Sequence, residues 1–477
     1  MPRTTLTSTK GARAIRDPHR FGRGLIATLA LLVVACGSLG AVSILQGPKL
    51  EGQQIDTSAA VGAPGGQLRL VVNQAVAAVT ARDVSIVPSV PLSVQSQGSV
   101  IAITFHAALD YDAVYRVSVK GVTSPRGGAD ATLHAEVRTP PFGFDYLVRG
   151  PSTDRVIRAT VGTTARKVLY ESPGIQDFVP LDGAMIVVRD DGHRGSQIDI
   201  VQLHGTNIET LTLPDTGAVN AITVVGTDIL YTLTSTSTST STSTNADPVP
   251  KYDQSLFKVD LQAQHLSTPV NGLDHNQLTI DAWQPVPGTN TLMLHGLDGA
   301  LMRYDPSETT PPVPFAYVPI MGGLSPDQKR IGTVDAFGPN SLALSTGKST
   351  RLTPAAIDGK TPYADLATPI DAAHTLLRLA IVRGSSFTQQ LVLNTSTSGQ
   401  PTTTKKLYQP PGKEPAIEDY RITSNGRYLV VEFLPNQIDI VPDGATVNFQ
   451  PTSVELDIVD AKTGAVDAEV AGFDARW

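Results

Sequence analysis

From residue 144 to the C-terminus the chain repeats one arrangement of short strands, and that repetition constrains the fold more than any other feature. Units such as IQDFVPLDGAMIVVRDD with IDIVQLHGTNIETLTL, or VNAITVVGTDILYTLT with SLFKVDLQAQHLSTPV, each hold several β runs. Each unit is roughly 40–50 residues long, too small to bury its own apolar face, so neighbours must stack around a common axis. Seven such units can be delimited, which predicts an all-β chain whose residues 142–477 form a β-propeller, seven blades being the best count. Abundant turn formers, 41 Gly and 35 Pro, agree with many short strands and few helices. A ring leaves no free sheet edge only if its ends share a blade. The short first unit therefore predicts that residues 145–149 share a blade with C-terminal strands at 454–459 and 467–470.

Two units carry the turns LSPDQKRIG (324–332) and ITSNGRYLV (422–430), and AMIVVR (184–189) follows a DG turn. These resemble the SPDG turn of TolB-type, WD-repeat-like propeller repeats. The resemblance implies a rigid ring that exposes loops for binding.

Between residues 65 and 141 the strands are shorter and Pro or Gly interrupts them every 8–12 residues or so, the rhythm of a β-sandwich. Tyr115, Val117, Val119 and Val122 occupy a Y-x-V-x-V-x-G-V pattern that resembles the bacterial Ig-like domains of S-layer and other envelope proteins. Val137 stands where that pattern would place an aromatic residue.

The N-terminus differs from all of this. Residues 1–24 hold six of the 37 Lys/Arg and one of the 44 Asp/Glu, which predicts a basic cytoplasmic tail. Residues 25–46 contain LIATLALLVVACGSLGAVSIL, uncharged and long enough for a single transmembrane helix acting as a signal anchor. Two alternatives remain: lipidation at Cys36, the only cysteine, or cleavage after a small-x-small site at 41–43. With one cysteine no intramolecular disulfide can form. Residues 47–64 read as a polar linker, and the Ser/Thr run inside 232–250 as a low-complexity loop on the propeller rim.

No catalytic constellation stands out. Ser345 and Lys348 make an isolated S-x-x-K, and Gly347-Lys348-Ser349 lacks the glycine that a phosphate loop needs at 342, so the segment reads as a turn. The nine histidines are dispersed, with no pair at metal-ligand spacing. Asp190-Asp191-Gly192-His193 reads as a hairpin turn, and Glu418, Asp419, Asp457 and Asp460 as solvating charges at strand ends. No catalytic, cofactor or metal residue is therefore assigned. Beyond the basic tail the chain is net acidic, which argues against nucleic acid. The expectation is a membrane-anchored, extracytoplasmic, non-enzymatic binding or scaffold protein of the bacterial cell envelope. Its partners would be the membrane and an envelope protein or cell-wall glycan held on a propeller face. The alternatives are a propeller hydrolase or lyase with a channel-centred site, and a lipoprotein-type attachment element.

Overall fold

The computed structural model describes residues 26–34, 47–204, 207–237, 250–357, 362–383, 386–397, 402–445 and 447–477. The basic tail, Cys36 and residues 238–249 of the Ser/Thr run lie outside the described residues.

The expected membrane anchor is corrected. Within the apolar run residues 26–34 are helical, and among the described residues no helix is long and apolar enough to cross a membrane. Nine helical residues rise only about 14 Å, half of a ~30 Å bilayer core.

The expected linker is also more than a tether. Leu50–Gln54 is a strand (β1) and Thr57–Gly62 a helix (α1) whose first turn is capped by the Asp56 carboxylate, which accepts from Ala59 N at 2.9 Å. Six further strands follow: β2 (Gln67–Val72), β3 (Val84–Val87), β4 (Leu92–Gln97), β5 (Val100–Phe105), β6 (Val114–Val122) and β7 (Ala131–Arg138). They form two antiparallel sheets, ordered β1-β2-β5-β4 and β3-β6-β7. Alternation explains the packing: Leu68, Leu70, Ile101 and Ile103 point inward from one sheet, and Tyr115, Val117 and Val119 from the other. Ala60 and Val61 of α1 complete this core. Tyr115, at the start of β6, turns its hydroxyl back to accept from Asp110 N at 2.8 Å, pinning the corner before the strand.

Seven four-stranded antiparallel sheets come next, and they match the seven sequence units. Blade one contains β8 (Gly143–Val148), β9 (Asp154–Thr160) and β10 (Arg166–Ser172). Blades two to seven span residues 175–211, 217–269, 280–317, 320–351, 363–408 and 416–471, in that order. The first strands of neighbouring sheets pack on one another, Ile175–Pro180 on Gly217–Val225 and Ile320–Leu324 on Tyr363–Pro369, which places them innermost.

Closure differs in detail from the expectation. Glu455–Asp460 and Val466–Ala471 stay in blade seven with their own neighbours. The strand that closes the ring is Phe473–Arg476, which pairs antiparallel with β8 (Phe473 with Leu147, Arg476 with Asp145) and becomes the inner strand of blade one. Phe473 and Ala475 fill gaps in the cores of blades one, two and seven.

Between blades five and six the sheets approach closely because residues 322, 323 and 332 lack side chains. A Cβ on Gly332 would lie 1.8 Å from the Ala367 carbonyl oxygen, and one on Gly322 would lie 2.2 Å from it. Neither the turns nor the strand alternation reveals this contact in the sequence.

Because strands alternate in direction, the turns joining first to second strands gather on one face and those joining second to third strands on the other. The sandwich sits on the first of these faces. Asn425, in the turn of blade seven, donates to the Leu109 carbonyl at 2.9 Å. Tyr111 packs on Phe142 and Tyr428 with ring centroids 4.9 and 6.1 Å away, and Phe142 meets Tyr428 at 5.2 Å. Ala63 lies against Gly288 in the corresponding turn of blade four, where an added Cβ would come within 2.7 Å of it. Blades four and seven stand across the ring from each other, so the sandwich spans this mouth of the channel.

Candidate functional site: the closure cluster and the uncovered face

Three blades bring charged side chains together beside the closing strand. Arg476 pairs with Asp177 of blade two and with Asp474, each at 2.8 Å. Arg421 of blade seven pairs with Asp419 at 3.3 Å and donates to the Ala475 carbonyl at 2.7 Å. The Glu432 carboxylate, on the adjoining strand, accepts from Asp474 N at 2.8 Å. Burial pushes the Asp177 carboxyl well above its ordinary range, whereas Asp474, opposed by the same burial, is held low chiefly by Arg476. Burial also raises Glu432 to about 8. Carboxylates do converge from three blades, then, but two guanidiniums lie among them and one backbone N–H is bound. Such an arrangement neutralises charge where the ring closes.

The residues singled out from sequence fall elsewhere. Ser345, Gly347 and Lys348 form the expected turn, between the last two strands of blade five, with Gly347 at φ +68°. Asp191 organises the hairpin turn at 190–195 by accepting from His193 N and Gly195 N. Two of the charges read as solvated are instead buried. Asp457 accepts from the Tyr408 hydroxyl at 2.5 Å and burial raises it to about 6, while Asp460 pairs with Arg427 at 3.0 Å. Three histidines meet carboxylates: His265 with Glu209 and His295 with Asp281, both at 2.6 Å, and His374 with Asp371 at 2.9 Å. These pairs are separate, and among the described residues no group of three His, Cys, Asp or Glu could hold a metal ion.

What sequence reasoning missed is the character of the face opposite the sandwich. Its loops join second to third strands and blade to blade, and they expose large apolar side chains. Phe337 is 89% exposed and Tyr317 71%. Leu273, Leu297, Ile438 and Phe449 are also exposed on this side. The longest described loop here, 435–445 with 447–454, is tied down at its base. Arg149 forms an ion pair with Asp443 at 2.6 Å and donates to the Asn448 carbonyl at 2.9 Å. A cavity of about 240 Å³ lies beside it, lined by Arg149, Asp154, Gln176, Asp190 and Asp443 among others. Exposed residues scattered singly need no explanation, but a concentration on one face does. A period-two or blade-length reading cannot find them, because loop residues carry no periodicity.

Seven four-stranded sheets closed by the C-terminal strand define the class: a seven-bladed β-propeller, preceded by a two-sheet β-sandwich. No protein-family model and no curated protein matches the chain. Solved structures with overall similarity include TolB from Acinetobacter baumannii, at 12% identity and TM-score 0.32, covering 77% of this chain and 79% of that one. Others are the dihydro-heme d1 dehydrogenase NirN (10%, TM-score 0.37, 70% and 74% covered) and the N-terminal domain of Nup159 (13%, 0.37, 61% and 75%).

Proposed function

We propose that this protein is a non-enzymatic binding scaffold that engages a macromolecular partner through the propeller face opposite the sandwich. The observation that carries this reading is the asymmetry of the two faces. One mouth is spanned by the sandwich through Asn425, Tyr111 and Ala63, and the other presents Phe337, Tyr317, Phe449 and Ile438 to solvent. Exposed apolar surface costs roughly 25 cal/mol per Å² relative to burial, so a partner that covers it gains affinity from the same term. Loops held by a closed ring lose little entropy when they bind.

The finer assignment follows from the sandwich. Its strand order, β1-β2-β5-β4 against β3-β6-β7, and the Tyr115 hydroxyl bonded to the backbone upstream are features of immunoglobulin-type sandwiches. They support an Ig-like module, and with it an envelope role in which the partner is an envelope protein or cell-wall glycan. The Ser325 and Thr423 turns support kinship with TolB-type repeats. In both, the hydroxyl accepts a backbone N–H from the strand that follows, at 3.0 Å from Arg330 and from Tyr428.

The test is site-specific photocrosslinking in the native host, with a crosslinkable residue at 337 or 449 and, as control, at 466 on the other side of blade seven. A discrete adduct from 337 and 449 but not from 466 is the expected result. Equal labelling from all three positions, or none from 337 and 449, would overturn the reading.

A further inference from the structure

A second cavity, unrelated to the exposed face, opens between blades four and five on the sandwich side of the ring. Its volume is about 590 Å³, within the roughly 300–1,000 Å³ typical of small-molecule sites. Its apolar walls come from Val286, Met293, Phe315 and Leu344. Three cations, Arg303, Lys329 and Arg330, stand on its lining, and no carboxylate does.

The lining is net positive in a chain that is net acidic. Arg149, Arg189, Arg351, Arg378 and Arg476 are each held by a carboxylate. The side chains of Arg303, Lys329 and Arg330 make no hydrogen bond or ion pair among the described residues, although the molecule is net acidic. Arg303 and Lys329 are exposed and Arg330 half-buried, so the lining offers an incoming anion a net positive potential. The floor beneath them is preorganised. Gln328 donates to the Pro287 carbonyl at 2.7 Å, locking the turn of blade five to that of blade four, and Ser325 fixes the backbone of Lys329 and Arg330.

We infer that this cavity is a binding site for an amphipathic organic anion, whose charged group meets Arg303, Lys329 and Arg330 while its apolar body lies against Met293, Phe315 and Leu344. Orientation follows from the adjoining cavity of about 550 Å³, which shares Arg303, Phe315 and Leu344 but carries Asp305 and Glu308. Those carboxylates repel an anionic head, so it belongs at the Lys329–Arg330 end. The charge could be a carboxylate or a phosphate, since both suit a guanidinium.

The test uses purified full-length protein and fluorescence titration with anilinonaphthalene sulfonate, followed by its displacement with dodecanoate or dodecyl phosphate. Displacement by one head group alone identifies the source of the anion. Expected are saturable binding that weakens as salt is raised, and a loss of about ten-fold or more in affinity in the double variant Arg303→Gln/Arg330→Gln. Phe337→Ser, on the opposite face, should leave the affinity unchanged, which separates this site from the partner-binding face. An uncharged phenylnaphthylamine should bind much more weakly than the sulfonate. All three cations sit at or near the surface, and an unchanged melting temperature verifies that the double variant is folded; Leu344→Glu, which puts a repelling carboxylate on the lining, provides an independent blocking substitution. Affinity unchanged in both variants, equal binding of the uncharged analogue, or no saturable binding at all would overturn the inference.

Discussion

Arg476, one residue from the chain end, donates to Asp177 across 299 residues of sequence, 2.8 Å from its carboxylate. Together with the pairing of Phe473 to Leu147 it joins the last strand to blades one and two. The first and last strands of the propeller therefore share one sheet.

Removal of residues 473–477 should therefore unfold the ring as a whole. Arg476→Ala leaves Asp177 and Asp474 without their shared cation, and breaking a buried pair in this way costs about 3 kcal/mol or more. Chemical denaturation followed by tryptophan and tyrosine fluorescence reads the midpoint. A shift smaller than that of an exposed control such as Arg194→Ala would refute the latch.

The raised carboxyls give stability a definite pH dependence. Glu432 is at about 8 in the folded protein against 4.5 when unfolded, so between those values only the folded form holds the proton. Stability should fall as pH rises from about 5 to 8 and level off above that, by at most about 1.4 kcal/mol per pH unit for this group. Asp457, raised to about 6, adds to the same trend over the lower part of the range. Glu432→Gln should flatten the profile between pH 6 and 8 in denaturant titrations. An unchanged slope would show that another group carries it.

The contact between blades five and six leaves no room for a side chain at residue 332. Gly332→Val should be among the most destabilising single substitutions, since the Ala367 carbonyl lies 1.8 Å from the new Cβ position. Gly52→Ala, where nothing lies within 4 Å of the added carbon, is the control and should change the melting temperature little. Comparable effects of the two would mean the blades can separate.

The sandwich and the propeller should be uncoupled by Tyr111→Ala combined with Asn425→Ala. The first removes the ring that bridges Phe142 and Tyr428, and the second removes the bond to the Leu109 carbonyl. Two calorimetric transitions are expected in place of one, with new proteolytic cleavage around residues 139–142. A single unshifted transition would place the coupling elsewhere.

Much of this architecture is legible in the order of residues. Alternating apolar runs placed all seven blades, because a strand in a packed sheet must repeat every two residues and a blade must repeat at a fixed length. Tyr115 and the valines after it marked the sandwich, and the Ser325 and Thr423 turns marked two blades, since turn chemistry acts within a few residues. Beyond that range local signals fail. Nothing near Phe473 says that it pairs with Leu147, nothing near Asp457 says that Tyr408 buries it, and the apolar run at 25–46 looked like a membrane span although only residues 26–34 are described as helix. Burial, charge pairing across blades and the choice of which face stays open depend on distances between residues far apart in sequence. Those distances exist only once the ring has closed, which is why the tertiary structure alone decided that Arg476 is a latch, that Arg303 is left without a counterion, and that Phe337 faces solvent.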